Sequence, residues 1–209
     1  MENTKLLGKL YSIKKITCDN IVLQHVSDLI DDVENEIKTE ESKKSGKYEK
    51  KKSAERIIKQ LNDVYCNKLG VYYECDYQYI GGAYSAVKIK EKIPLYVNDE
   101  KKNYERMDYE KIIAETRKSI GNQLPLPSIH DLKSEIKIEK EKHKGEKGYT
   151  YYYDFGDGLP RVNGMYLLDL LVILGDCKAF ASIRYPETGL IYFENENGDC
   201  GVLSPVRKV

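Results

Sequence analysis

The amino-acid sequence predicts an α+β fold, and three observations carry that prediction. Val22, Val26, Leu29, Ile30, Val33 and Ile37 recur at helical spacing. From Leu69 to Leu95 the β-branched and aromatic runs VYYECDYQYI and AYSAVKIKEKIPL flank a Gly81-Gly82 break, as strands do. From Pro160 to Arg207 an apolar helix gives way to alternating segments separated by turn residues.

Taken in order, Leu6 to Ile16 is a short amphipathic piece of either type. The helix at 22–37 follows, with Asp31, Asp32, Glu34 and Glu36 on its outer side. Residues 38–53, KTEESKKSGKYEKKKS, have no apolar stripe and contain Gly46, which predicts a mobile charged linker. Ser53 is a fitting N-cap for a second helix, with Ile57, Ile58, Leu61, Val64 and Tyr65 inside. Beyond the strands, Asn98 to Asn103 reads as a polar loop. Asp108 opens a helix bearing Tyr109, Ile112, Ile113 and Ile120 and closed by Gly121. Pro125 and Pro127 impose an extended connection. Ser128 with Asp131 three residues on resembles a capping box for another helix, whose apolar side is thin (Ile129, Leu132, Ile136). Gly148 to Phe155 is a tyrosine-rich strand and Gly156-Asp157-Gly158 a turn.

The C-terminal stretch is the best specified. Asn163 is an N-cap, Met165 to Leu174 is apolar almost all round, and Gly175 suits the end of the helix. Ala179, Ala181, Ile183 and Tyr185 then fall on one side of a strand, and Lys178, Ser182 and Arg184 on the other. Pro186 to Gly189 is a turn, Leu190 to Glu194 a strand, Asn197-Gly198 a hairpin signal, and Cys200 to Val206 a third strand. Helix-then-strands thus occurs at 53–95 and again at 163–207. The expected organisation is an N-terminal helical segment with its linker at 1–52, and a single domain at 53–209 with a helical insertion at about 104–147.

Composition excludes more than it assigns. The 209 residues can bury a substantial core, and 34 Lys+Arg balance 34 Asp+Glu, so no net field draws the chain to nucleic acid or a membrane. From Gly148 onward five Lys/Arg stand against eight Asp/Glu, leaving twenty-nine against twenty-six upstream. There is no membrane-length apolar run and no apolar leader, and Cys18, Cys66, Cys75, Cys177 and Cys200 have no paired spacing. A cytoplasmic protein with free thiols is expected.

The C-terminal wording resembles the final half-domain of the bacterial DNA sliding clamps, the beta subunit of the replicative polymerase. Asn163, Gly164, Tyr166, Leu167, Leu168 and Asp169 match that family's Asn-Gly-x-Tyr-Leu-Leu-Asp helix start. Val202, Leu203, Pro205, Val206 and Arg207 match its aliphatic strand and Pro-x-Arg ending. The match covers about a quarter of the chain. Gly82-Ala83-Tyr84-Ser85-Ala86-Val87 is a fainter echo of another clamp strand, without its Asp or Arg.

The resemblance implies a single clamp-like domain of two helix-plus-antiparallel-sheet halves, elaborated by additional helices. It implies a non-enzymatic protein, replication-associated or from a mobile element, that recognises the short linear motif of a protein partner. Carried over by position, Val202, Ser204, Pro205, Val206 and Arg207 would wall the peptide cleft. Ser204 departs from the family's usual Met and removes a flexible apolar surface. DNA encirclement is a poorer fit: the 163–174 helix has no basic residue, and a helix apolar on nearly every face calls for cover by one of the additional helices.

The alternative is a small DNA-binding or inhibitory protein with this fold but neither ring nor peptide pocket. Lys43, Lys44, Lys50, Lys51 and Lys52, with Tyr48 among them, are the candidate nucleic-acid contacts, although interleaved Glu residues cancel much of their field. A further lysine cluster spans 133–147. Enzyme readings have less behind them. Asp154-Phe155-Gly156 spells a kinase tripeptide without the other kinase motifs. Asp154, Asp157 and Asp176 suit turns and caps. His25, His130 and His143 are far apart with no metal-ligand spacing, so no metal, cofactor or small-molecule substrate is expected. A Cys–His pair assembled in space stays open.

Overall fold

The computed structural model describes residues 2–64, 68–97 and 104–207, the side chains of Glu2 and of 62–64 excepted. Tyr65, Cys66, the side chain of Val64 and the expected polar loop at 98–103 lie outside them. In chain order the elements are α1 (Glu2–Ile16), α2 (Asn20–Lys44), α3 (Tyr48–Val64), β1 (Lys68–Leu69), β2 (Val71–Glu74), β3 (Tyr77–Gly81) and β4 (Ser85–Ile89). They continue with β5 (Glu105–Arg106), α4 (Tyr109–Arg117), β6 (Ile120–Leu124), α5 (Ile129–Lys142), β7 (Tyr152–Asp154), β8 (Arg161–Asn163), α6 (Gly164–Leu174), β9 (Cys177–Ser182), β10 (Ile191–Asn195) and β11 (Cys200–Leu203). The fold is α+β.

Helix α6 begins where Asn163 Oδ1 accepts hydrogen bonds from the amides of Met165 (2.9 Å) and Tyr166 (3.4 Å). It ends at Gly175, whose φ is 71°. Being apolar all round, it is enclosed by α3, α5 and strands β4 and β11. Leu167, Leu170 and Ile173 are fully buried, and Leu132 and Ile136 of α5 close over them in the main core. The helix expected to need cover has it.

Beneath α3 and α6 lies an antiparallel seven-stranded sheet of order β2-β3-β4-β11-β10-β9-β6. Two units, α3-β2-β3-β4 and α6-β9-β10-β11, meet along the β4–β11 seam, where Ala86 pairs with Val202 and Val87 with Gly201. The seam is tight. A Cβ on Gly201 would stand 2.7 Å from the carbonyl oxygen of Ala86 and 2.8 Å from Leu170 Cδ2. The opposite face is covered by α4, whose Tyr109 and Ile113 pack with Tyr72, Tyr79, Ala86, Tyr192 and Val202. Helices α1 and α2 form a hairpin with its own small core of Leu10, Val26, Ile30 and Val33.

Several boundaries differ from expectation. The linker at 38–53 is instead two helices joined at 45–47, because polar residues there find tertiary partners. Lys51 is buried and bonded to Asn35 Oδ1 (3.1 Å), and Ser53 is an interior residue of α3, not its cap. The run at 71–80 is folded into a hairpin at Cys75, a non-glycine residue with φ 50°. Helix α4 stops at Arg117, and Ile120 and Gly121 belong to β6, paired with β9. The tyrosine-rich strand shrinks to 152–154. Strand β9 ends at Ser182, leaving Ile183 and Tyr185 exposed (70% and 52%) instead of facing the core with Ala179 and Ala181. Strand β11 stops at Leu203.

Replacing Gly201 with alanine should force backbone apart at the seam and lower unfolding stability by about 1–3 kcal/mol. Urea denaturation checks it: the midpoint falls while the denaturant slope stays constant.

Candidate functional site

The C-terminal segment after β11 does not join the sheet. Ser204 donates its amide to the Tyr84 carbonyl (2.8 Å), and Val206 donates to the Arg161 carbonyl (2.7 Å). Pro205 between them has no amide to donate. The segment is thereby pinned between the β3–β4 turn and β8. Gln60 of α3 fixes that turn from below, its side-chain oxygen accepting from the Tyr84 amide and the Ser85 hydroxyl, each at 3.3 Å.

A groove of about 300 Å³ results, lined by Tyr84, Thr150, Tyr152, Asn163, Tyr166 and the segment Ser204-Pro205-Val206. The rings of Tyr84 and Tyr166 are stacked, with centroids 5.6 Å apart. The Arg161 guanidinium lies 4.5 Å from the centre of the Tyr152 ring. Beyond Thr150 and Tyr152 the groove continues into a furrow of about 450 Å³ lined also by Glu139, Tyr149, Tyr151 and Arg161. Tyr151 donates to Glu135 (2.7 Å) and Tyr149 to Glu139 (3.0 Å). Burial, then the hydrogen bond to the Glu135 carboxylate, lifts the Tyr151 phenol above its ordinary range. The Tyr151 ring occupies the space where Gly164 lacks a Cβ, 2.3 Å from that position, which gives the Asn-Gly pair a second purpose besides capping.

Aromatic walls with polar rims and a nearby guanidinium suit an extended chain carrying apolar or aromatic side chains. Of the residues expected to wall a cleft, Ser204, Pro205 and Val206 line the groove. Val202 does not: strand alternation turns it to the opposite face, buried beside Ala86 and Tyr192 under α4. Arg207 is exposed and outside the lining. Tyr84, Tyr152 and Tyr166 were not among the expected site residues. Only the pairing of Leu203 with Ser85 brings Tyr84 beside Ser204.

The five lysines do not form one free basic face. Lys51 is buried against Asn35 and Glu55. Lys52 pairs with Glu49 (3.6 Å), and Lys52 and Lys43 lie 4.2 and 5.4 Å from the Tyr48 ring centre, while Lys44 is exposed and Lys50 half-buried. Helix α6 offers nothing to phosphates either, since its one charge, Asp169, is buried. Arg56 Nε donates to Asp169 Oδ1 (2.9 Å), and Arg56 also bonds Ser53 Oγ (3.0 Å). Burial raises the Asp169 carboxyl above its ordinary value, and the bonds from Arg56 and Ser53 offset part of that rise.

Several of the remaining candidates make local structural contacts. Asp154 closes a turn on the Gly156 amide (2.9 Å), and Phe155 is in the core. His143 is held by Glu146 (2.9 Å) and stacked on Tyr149 (3.8 Å). Cys177 borders a crevice of about 220 Å³ with Asp176 and Glu194, and burial pushes its thiol up to about 11, the wrong direction for a nucleophile. Among the described residues no three His, Cys, Asp or Glu come together to hold a metal, and no helix is long and apolar enough to cross a membrane.

No family model matches the chain, and no solved structure does. The chain is similar to the DNA mismatch repair protein MutL of Caldanaerobacter subterraneus subsp. tengcongensis, 27% identical over 183 residues. Those residues are 85% of this chain and 26% of that protein, so the chain spans about a quarter of the relative's length.

Arg56→Ala should leave Asp169 buried without its cation. Because Arg56 is itself half-exposed, the expected loss at neutral pH is about 2 kcal/mol. The sign with pH follows from the raised carboxyl. Between the unfolded carboxyl's value of about 4 and its own, the folded state holds the extra proton, so stability falls as pH rises through that window. The variant widens the window, so its deficit should be small in acid and grow towards neutrality. Chemical denaturation of both proteins across that range measures it.

Proposed function

We propose that this protein is a non-enzymatic, sliding-clamp-like recognition module of DNA replication or repair, which takes an extended peptide segment of a partner protein into the tyrosine groove. The observation that carries this reading is the groove itself: Ser204-Pro205-Val206 held open against Tyr84, Tyr152 and Tyr166. A clamp-like plan is supported by the two helix-plus-three-strand units of one antiparallel sheet. A place in DNA metabolism, for a host or a mobile element, is supported by the similarity to a protein named for mismatch repair. Encirclement of DNA is not part of the proposal, since α5 and α3 cover the helix a clamp turns towards the duplex.

The groove fits a partner that presents one or two apolar side chains on an extended backbone. Tyrosines give large contact area at small entropic loss. A second reading, a DNA-binding or inhibitory role, has Lys43, Lys44, Lys50 and Lys52 around Tyr48 in its favour. Phosphate contacts there would make binding fall steeply with salt.

Fluorescence anisotropy with a labelled clamp-binding peptide tests the first reading. Saturable binding is expected, weakened at least about tenfold (about 1.4 kcal/mol) by Tyr84→Ala or Val206→Asp and little changed by Lys44→Glu. Equal signals from wild type and the groove variants would sink it. Salt-sensitive duplex binding abolished by Lys44→Glu would favour the second reading instead.

A further inference from the structure

The α1–α2 hairpin leaves one side uncovered. Leu6 and Ile13 on α1 and Val22 and Leu29 on α2 are each seven residues apart, two helical turns, and 41–51% exposed. Helical geometry places both pairs on the same flank of the hairpin, about 50° round each helix from the buried seam of Leu10, Val26, Ile30 and Val33. Ile16 and Ile21 extend the flank at the closed end, at 80% and 71% exposure. The other flank is already occupied. Asp31 accepts from Tyr96 and Asn35 from Lys51, which seats the hairpin on the rest of the protein.

The charges beside this apolar flank are sorted by helix. Helix α1 carries Lys5, Lys9, Lys14 and Lys15 against Glu2 alone, whereas α2 up to Ile37 carries Asp28, Asp31, Asp32, Glu34 and Glu36 and no Lys or Arg. Because the helices run back along each other, as the Asn3–Glu36 and Tyr11–Glu34 hydrogen bonds record, Lys5 and Lys9 stand at the height of Glu36 and Asp32. A twofold axis parallel to the helices would set α1 of one copy over α2 of another. Leucine and isoleucine would then meet at the centre and Lys5 and Lys9 would face Glu36 and Asp32 across the rim. A surface that is basic on one half and acidic on the other, at matching heights, is complementary to itself.

We infer that this flank is a self-association surface, on which the hairpins of two copies close into an antiparallel four-helix bundle. The bundle completes a two-helix unit whose own core is only four buried side chains. It lies on a different surface from the groove and leaves both copies' grooves free.

Light scattering and sedimentation of the full chain over a range of concentrations test it. Wild type should reach twice the single-chain mass, and Leu29→Glu or Ile13→Lys should return it to the single-chain mass with unchanged helical circular dichroism. Two variants guard against one that misfolds. Lys9→Glu and Asp32→Lys should each weaken the dimer at least about tenfold, and their combination should restore it, as expected of paired charges at an interface. A wild type that keeps single-chain mass at its solubility limit overturns the inference, as does a dimer that survives both apolar-to-charged variants. A dimer that the double reversal fails to restore overturns the charge-matched arrangement.

Discussion

One constraint governs the architecture: α6 has no polar side to give to water. Ten of its eleven positions lack a formal charge, and the eleventh, Asp169, lies inside. A helix of that kind must be walled in on every flank. The sheet supplies one wall, α3 and α5 the others, and the contacts among them make up most of the main core. Burial of Asp169 then demands a cation, and Arg56 on α3 reaches it from a half-exposed position. The ion pair also ties the register of α3 to that of α6.

The groove is a consequence of that enclosure. Packing α3 and α6 side by side brings β4 next to β11, which sets Tyr84 at one end of the seam and Tyr166 on the first turn of α6 above it. The chain leaves β11 there. With Pro205 unable to extend the ladder, Ser204 and Val206 bond to two different neighbours, and an aromatic cleft stays open between them. The same strand geometry withdraws Val202 to the far face, so β11 serves two cores in alternation, and Ser204, Pro205 and Val206 after it line the groove.

Electrostatics follows a similar division. The protein is neutral as a whole, yet its charges are sorted: α1 basic, α2 acidic, α6 sealed. Of the lysines that look available as a run, Lys51 is taken up by Asn35 and Glu55, Lys52 by Glu49 and the Tyr48 ring, and Lys43 by that same ring. The hairpin exposes Leu6, Ile13, Val22 and Leu29 among these sorted charges.

What the sequence determined by itself was everything set by neighbours along the chain. Asn163 and Ser128 cap because an Asx or Ser oxygen meets amides two or three residues on. Asn197-Gly198 turns because glycine accepts the positive φ found at Gly198. The apolar face of 22–37 and the helix–strand–strand–strand order at the C-terminus follow from spacing alone. The tertiary structure decided what depends on partners distant in sequence. Residues 38–44 and 48–53 are helical, with Lys51 of α3 bonded to Asn35 on the facing α2. The strand from 177 stops at Ser182, where the partner residues run out, although alternation continues to Tyr185. The groove joins Tyr84, Tyr152 and Tyr166 to residues 204–206, and no local pattern could bring these together. Spacing fixes which way a side chain points along its own element; only the pairing of elements fixes what it meets.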